Sequence, residues 1–131
     1  MKKATKSDIE TIKKAFIENY KDAKTELNYK NDYELLIAII LSAQCTDKRV
    51  NIITPALFEK YPSVKELSVA KLDDVKRLIN SCSFFNNKAQ NIIKMAQSVM
   101  QQYNGVIPHN QKELIKLAGV GNKTANVFMI E

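Results

Sequence analysis

An all-helical domain is what this 131-residue sequence predicts. Three observations carry that expectation: helix-start signals recur regularly, apolar residues return at helical spacing, and no stretch alternates long enough to make a convincing strand. The start signals are Ser7 with Glu10, Asn31 with Glu34, Ser63 with Glu66 and Asn110 with Glu113. Each sets a capping oxygen three residues before a glutamate, the pairing that satisfies orphan amides of a first helical turn. With 45% apolar residues, a chain of this length can bury one core and is expected to form one compact domain.

Behind Ser7, residues Ile9, Ile12, Phe16 and Tyr20 share one face while lysines and acids take the other, as in an ordinary amphipathic helix. From Tyr33 to Ala43 the run YELLIAIILSA is apolar nearly all round and reads as the central helix. A buried strand is the competing assignment for IAII, but the run is longer than a typical strand and no turn residue interrupts it. At about 1.5–3 kcal/mol for each fully buried large aliphatic side chain, this helix is expected to contribute most to stability. Thr46 or Asp47 is placed to cap a segment through Val50, Ile53, Leu57 and Phe58, which Pro55 should kink or restart and Tyr61-Pro62 ends. Two shorter helices are predicted around Val64 to Leu67 and Leu72 to Ile79, before the polar aromatic stretch SCSFFNN. The stripe Ala89, Ile92, Ile93, Ala96, Val99, Met100 and Tyr103 predicts a long helix that stops at Asn104-Gly105. Pro108 and Asn110 then open a helix from Gln111 to Lys116, which runs into LAGVGNKTAN, Leu117 to Asn126.

Composition narrows the class of partner. Twenty Lys and Arg against fourteen Asp and Glu give a net charge of +6, which favours a polyanion such as nucleic acid and is equally compatible with a merely lysine-rich surface. Only Arg49 and Arg77 could present a planar fork to guanine edges, so backbone contact should outweigh base-edge readout. Cys45 and Cys82 stand in unrelated contexts, without the spacing of a zinc site or a disulfide framework, so no metal is expected. The N-terminus lacks the apolar core of a signal peptide, and Leu35 to Leu41 is too short to span a bilayer. A soluble cytoplasmic protein is the expectation, nucleoid-associated if the source is bacterial.

LAGVGNKTAN holds two of the three glycines in the chain. A helix ending at Leu117, a tight turn Gly119-Val120-Gly121 and a second helix from Asn122 make a helix–hairpin–helix over residues 111–130. Glycine permits positive φ and lets a ligand approach the backbone, and the first amides of the second helix lack intrahelical partners. Together with the helix dipole they form an anion site suited to phosphate, although an ordinary turn between packed helices has the same pattern. Lys123, in the first turn, sits where the dipole opposes an ammonium and favours the neutral amine that a nucleophile needs. On physical grounds alone a phosphate contact is the commoner role.

The stretches TELNYKNDYELLIAIILSAQCTD, FFNNKAQNII, NGVIP and LAGVGNKTANV, in this order and across nearly the whole chain, resemble the endonuclease III family, helix–hairpin–helix DNA glycosylases with apurinic/apyrimidinic lyase activity. The family pattern LPGVGxKTAN is matched except that Ala118 replaces proline, which should loosen the turn entry slightly. The resemblance implies base excision repair: removal of oxidised pyrimidines, then cleavage of the abasic site. It matches Lys123 to the lysine whose amine attacks C1′, expels the base and forms the Schiff base that permits β-elimination. Monofunctional relatives such as the adenine-specific glycosylases lack that lysine. Gln44 matches the glutamine that fills the gap left by a flipped base, and Phe84 falls where the family carries a leucine wedge, although FF could equally belong to the core. Gly119, Val120, Gly121, Asn122 and Thr124 fall in the DNA-binding hairpin. For Gln44 the plainer role is a helix-end amide, and Asp47 reads as a helix cap rather than a catalytic acid.

The family's catalytic aspartate, in a V-D-T-H type motif beyond KTAN, and the four cysteines of its 4Fe-4S cluster have no counterpart in this sequence. A fragment truncated before them, inactive or impaired, is therefore expected, with a cluster only in the full-length enzyme. The resemblance places residues 1–24 in a second, cluster-bearing lobe, incomplete here, and residues 25–131 in a helical bundle or barrel. The stripe Ile9, Ile12 and Phe16 should then pack on another molecule or move freely. The expected partner is duplex DNA with damaged bases or abasic sites, bound by a monomer without membrane association. A catalytically inactive helix–hairpin–helix module that only binds DNA is the alternative, and an interaction scaffold with a structural G-V-G is a third.

Overall fold

The computed structural model describes residues 26–130, and the features placed in residues 1–24, including the Ser7 cap and the Ile9, Ile12 and Phe16 stripe, lie outside them. Among the described residues there are seven helices and no strand: α1 (Asp32–Ser42), α2 (Asp47–Lys60), α3 (Val64–Ser68), α4 (Leu72–Ile79), α5 (Phe85–Gln102), α6 (Gln111–Leu114) and α7 (Asn122–Ile130). The all-helical expectation holds, and α1 is central. Every residue from Tyr33 to Leu41 is buried, with α2, α5 and α7 packed around it. Glu34 tolerates burial because its carboxylate accepts the Lys30 N–H at 3.0 Å. Its own N–H donates to the Asn31 side chain at 2.9 Å, so the predicted cap closes the first turn.

Local signals set most boundaries. Thr46, not Asp47, caps α2, accepting the Arg49 N–H at 3.1 Å. Asp47 instead accepts the Glu26 N–H at 3.1 Å, and Asn51 accepts from the Asn28 N–H at 2.8 Å while donating to the Glu26 carbonyl at 3.1 Å. These bonds lash the entering segment to α2 and seat Leu27 in the core. Pro55 does not restart α2, which runs through it unbroken. Its ring is exposed, and packing by Val50, Ile53 and Leu57 on the inner face outweighs one missing backbone bond. At the far end the Tyr33 hydroxyl donates to the Tyr61 carbonyl at 2.6 Å, tying the end of α2 to the start of α1.

Ser63 departs from its expected role. Its side chain accepts no backbone amide; the hydroxyl donates to the Glu66 carboxylate, which is held below its ordinary value chiefly by that bond. Helix α5 ends as its sequence predicts, with Asn104 at φ 54° and Gly105 at φ 83° turning the chain and the Gly105 N–H reaching the Val99 carbonyl at 3.0 Å. Helix α6 is shorter than expected and stops at Leu114. Beyond it the chain tightens into three-residue turns, Lys116 N–H to Glu113 and Leu117 N–H to Leu114, because Leu114, Leu117 and Val120 must all reach the core before the hairpin turns. No helix among the described residues is long and apolar enough to cross a membrane.

Candidate nucleic-acid interface

The hairpin is built on one obligatory glycine. Gly119 has φ +81°, and a Cβ there would meet Asn91 Cβ of α5 at 3.0 Å. The left-handed turn and the close approach to α5 both require its missing side chain. Gly121 differs: it is not left-handed, and a Cβ would meet nothing within 4 Å. Its openness faces solvent, so the second glycine leaves room outside the fold rather than inside it. Between them Val120 is buried and its N–H donates to the Leu117 carbonyl at 3.1 Å. Val120 therefore anchors the turn and offers no side chain or free amide to a ligand.

Past Val120 the amides become available. Ala125 N–H donates to the Gly121 carbonyl at 2.9 Å, opening the α7 ladder, while no carbonyl among the described residues takes the N–H groups of Gly121, Asn122, Lys123 or Thr124. These are the orphan donors of a helix start, aimed outward with the positive end of the dipole behind them. Gly121, Asn122 and Lys123 are exposed and Thr124 half-buried. Lys123 makes no ion pair among the described residues. Helix α7 is fixed from behind by Ala125 and Phe128, and the Phe128 ring packs on His109 at 5.2 Å between centroids. His109 in turn meets the Asp32 carboxylate at 2.6 Å, which ties this end of the hairpin to the first turn of α1.

A second group of residues gathers where α1 ends and α5 begins. Gln44 follows α1 at φ 56° and is exposed; together with Arg49, Ser81 and Ser83 it lines a cleft. Phe84, immediately after Ser83, is also at φ 56° and is 61% exposed, whereas Phe85 begins α5 and packs against the core. The two phenylalanines therefore divide the possible roles: Phe85 is structural, and Phe84 projects from a left-handed backbone that phenylalanine rarely adopts. Such strain is kept where the surroundings hold it and something is gained from it. The hairpin and this cleft are linked through α5, since Asn91 under Gly119 lies roughly 10 Å along the helix axis from Phe84. No hydrogen bond or ion pair among the described residues joins Lys123 directly to Gln44 or Phe84.

Three features of this region were not legible in the sequence. Cys45 and Cys82, read as unrelated, are brought near enough for Cys45 to act on the Cys82 thiol. Burial, and then that neighbour, push the Cys82 thiol up to about 11. Arg49 shares the Gln44 cleft, while Arg77 is engaged by Asp74 on its own helix. Lys88, which carries no signal in the sequence, is 6% exposed and donates to the carbonyls of Leu41 at 2.7 Å and Ala43 at 2.5 Å.

Comparison with known proteins bears on this geometry. Over residues 37–129 the chain matches the family described as HhH-GPD superfamily base excision DNA repair protein. It belongs to that superfamily. The chain is 45% identical over 121 residues to endonuclease III of Rickettsia felis, covering 92% of this chain and 57% of that one. Against endonuclease III of Escherichia coli K12 the identity is 40% over 112 residues, covering 86% and 53%. Among solved structures, a trapped endonuclease III–DNA covalent intermediate with an estranged adenine superposes with a TM-score of 0.82 at 42% identity, over 95% of this chain and 59% of that one. A thermostable thymine-DNA glycosylase superposes with a TM-score of 0.72 at 26% identity, over 78% and 47%. The chain thus spans about half the length of the relatives it matches.

The 4Fe-4S cluster that the endonuclease III resemblance implies does not fit the residues of this chain. A cubane cluster takes four thiolates, whereas there are two cysteines, both free, and burial holds Cys82 as a neutral thiol beside the Lys88 ammonium. No group of three or more His, Cys, Asp or Glu among the described residues could hold a metal ion.

Proposed function

We propose that this chain carries the DNA-engaging half of an endonuclease III-type glycosylase and abasic-site lyase, with Lys123 as the nucleophile. The observation that carries the reading is the hairpin: four outward amides from Gly121 to Thr124, an open Gly121 and, in the same turn, Lys123 with no ion pair among the described residues. The likeness to a trapped covalent endonuclease III–DNA intermediate supports it. The amides and the dipole hold a backbone phosphate beside the lesion, and the Lys123 amine attacks C1′ as the N-glycosidic bond breaks and the base departs. Loss of a proton from nitrogen and opening of the sugar give the imine. Removal of a C2′ proton then expels the 3′ phosphate as the C3′–O bond breaks. Gln44 and Phe84 enter the gap left by the extruded nucleotide, offsetting unstacking that costs a few kcal/mol. Oxidised pyrimidines and abasic sites in duplex DNA are the substrates, the enzyme acts as a monomer, and its place is the cytoplasm, at the nucleoid in a bacterium.

Borohydride trapping on abasic duplex tests this. A covalent adduct that disappears in Lys123→Ala, while Lys116→Ala retains it, is the expected result. The outward amides of the hairpin bind a phosphate without any chemistry of their own, which favours one further reading, a module that binds duplex DNA without turnover. Salt-dependent binding with no adduct, either here or in a version extended to the length of those relatives, would remove Lys123 from the chemistry and leave only the module.

A further inference from the structure

Lys88 is the buried cation of this fold, and no carboxylate takes its Nζ among the described residues. Three acceptors converge on it instead: the Leu41 carbonyl at 2.7 Å, the Ala43 carbonyl at 2.5 Å and Cys82 Sγ at 3.4 Å. Three acceptors match the three N–H bonds of an ammonium, and a guanidinium fork has a different shape. The carbonyls belong to the end of α1, a helix with no basic residue in its own last turn. Lys88 therefore supplies from α5, 47 residues on in sequence, the cation that the negative end of α1 lacks.

What this cation adjoins gives it a further meaning. Ala43 is directly followed by Gln44, whose backbone is left-handed at φ 56°. On the other side the Lys88 N–H donates to the Phe84 carbonyl at 3.0 Å, and Phe84 is left-handed too, at φ 56°. Cys82, two residues before Phe84, donates its thiol to the Leu41 carbonyl at 3.2 Å, closing the same junction. One residue thus holds the backbone beside Gln44 through its side chain and the backbone of Phe84 through its main chain. Left-handed conformations at residues with side chains persist only where neighbours impose them.

We propose that Lys88 is a positioning residue: it sets the separation and orientation of Gln44 and Phe84, so that the pair can fill a gap in duplex DNA. This rests on the reading above, in which those two side chains occupy the space of the extruded nucleotide. Lys88 touches neither DNA nor reacting atoms. Its removal should therefore leave the hairpin's grip on duplex intact while abolishing the preference for a gap.

The test is the ratio of affinities of the chain for duplex containing a tetrahydrofuran abasic analogue and for the same duplex intact. A 2-aminopurine opposite the analogue reports on its filling. The wild type should prefer the gapped duplex by about tenfold. Lys88→Met should bring the two affinities to within about twofold, leave the intact-duplex affinity unchanged and lose the 2-aminopurine response. Lys88→Gln, whose amide can serve one of the two carbonyls, should fall between and keeps the test open should the methionine variant fail to fold. A folded variant of either kind with wild-type preference overturns the proposal, as does equal weakening for both duplexes. Gln44→Ala and Phe84→Ala are measured alongside. If they retain the preference, the gap-filling reading itself has failed; if they lose it while the Lys88 variants keep it, only the role of Lys88 has.

Discussion

Replacing Gly119 by alanine separates the two glycines of the hairpin more sharply than any other change. At φ +81° an L-residue pays about 1–2 kcal/mol for the left-handed backbone, and the new Cβ would stand 3.0 Å from Asn91 Cβ, well inside the optimum for carbon–carbon contact. Asn91 Cβ is fixed to the backbone of α5 and cannot swing away, so relief requires the hairpin to move off the helix, at an overpacking cost of about 1–3 kcal/mol. The total, about 2–5 kcal/mol, should lower the melting temperature by roughly 10 °C or more. Gly121→Ala meets nothing within 4 Å and needs no left-handed backbone, so its stability should stay within about 0.5 kcal/mol of the wild type. Duplex binding should behave in the opposite way, because a methyl group at position 121 intrudes on the approach of a phosphate. Urea unfolding followed by circular dichroism, with fluorescence anisotropy on a labelled duplex, measures both. Equal stability losses for the two variants, or full DNA affinity in Gly121→Ala, would refute the division of labour argued from the geometry.

Phe84→Gly should stabilise the chain by up to about 1 kcal/mol, because glycine adopts φ 56° freely and the ring is mostly exposed, yet it should weaken binding to abasic duplex specifically, measured by unfolding and anisotropy together. Arg49→Ala, beside Gln44 in the cleft, should weaken duplex binding and reduce the slope of log affinity against log salt by about 1, read from a salt titration. Stability should also fall in alkali: burial raises both the Cys82 thiol, from 9.0 to about 11, and the Tyr33 phenol above its ordinary 10.0. Both are acids whose folded forms keep protons that the unfolded chain has already released, so the contribution is neutral below about pH 9. Above it, unfolding is favoured by up to ~1.4 kcal/mol per pH unit for each group, visible as a falling urea midpoint.

How much was legible in the sequence follows from the range of each interaction. Asn31, Thr46 and Asn110 bond to amides three residues away, so their caps are properties of short segments and survive into the fold. Asn104-Gly105 marks a helix end for the same reason. Pro55 was misleading because its effect depends on which face of α2 it occupies, and only packing decides that. The Gln111 helix stopped early because Leu117 and Val120 had to meet the core, a demand absent from local propensity. Phe84 and Phe85 are indistinguishable by composition; a single left-handed residue turns one out and the other in. Lys88 could not be found among eighteen lysines, since its partners Leu41 and Ala43 are carbonyls that every residue possesses. The hairpin was readable because its chemistry is main-chain chemistry, and glycines announce where a main chain is bare.

The ends of α1 and α7 are treated in opposite ways. The electron-rich end of α1 is answered from within the chain by Lys88, while the electron-poor start of α7 has no anion of its own, its first turn being without an acidic residue. A duplex phosphate seated there would complete the second helix as the lysine completes the first, so under the proposed function nucleic acid would be a structural component of the folded state as well as its substrate. By mass action, DNA at a hundred times its dissociation constant would add about 2.7 kcal/mol to the stability of the chain. The hairpin should therefore be firmest when the molecule is searching along DNA and softest when it is free.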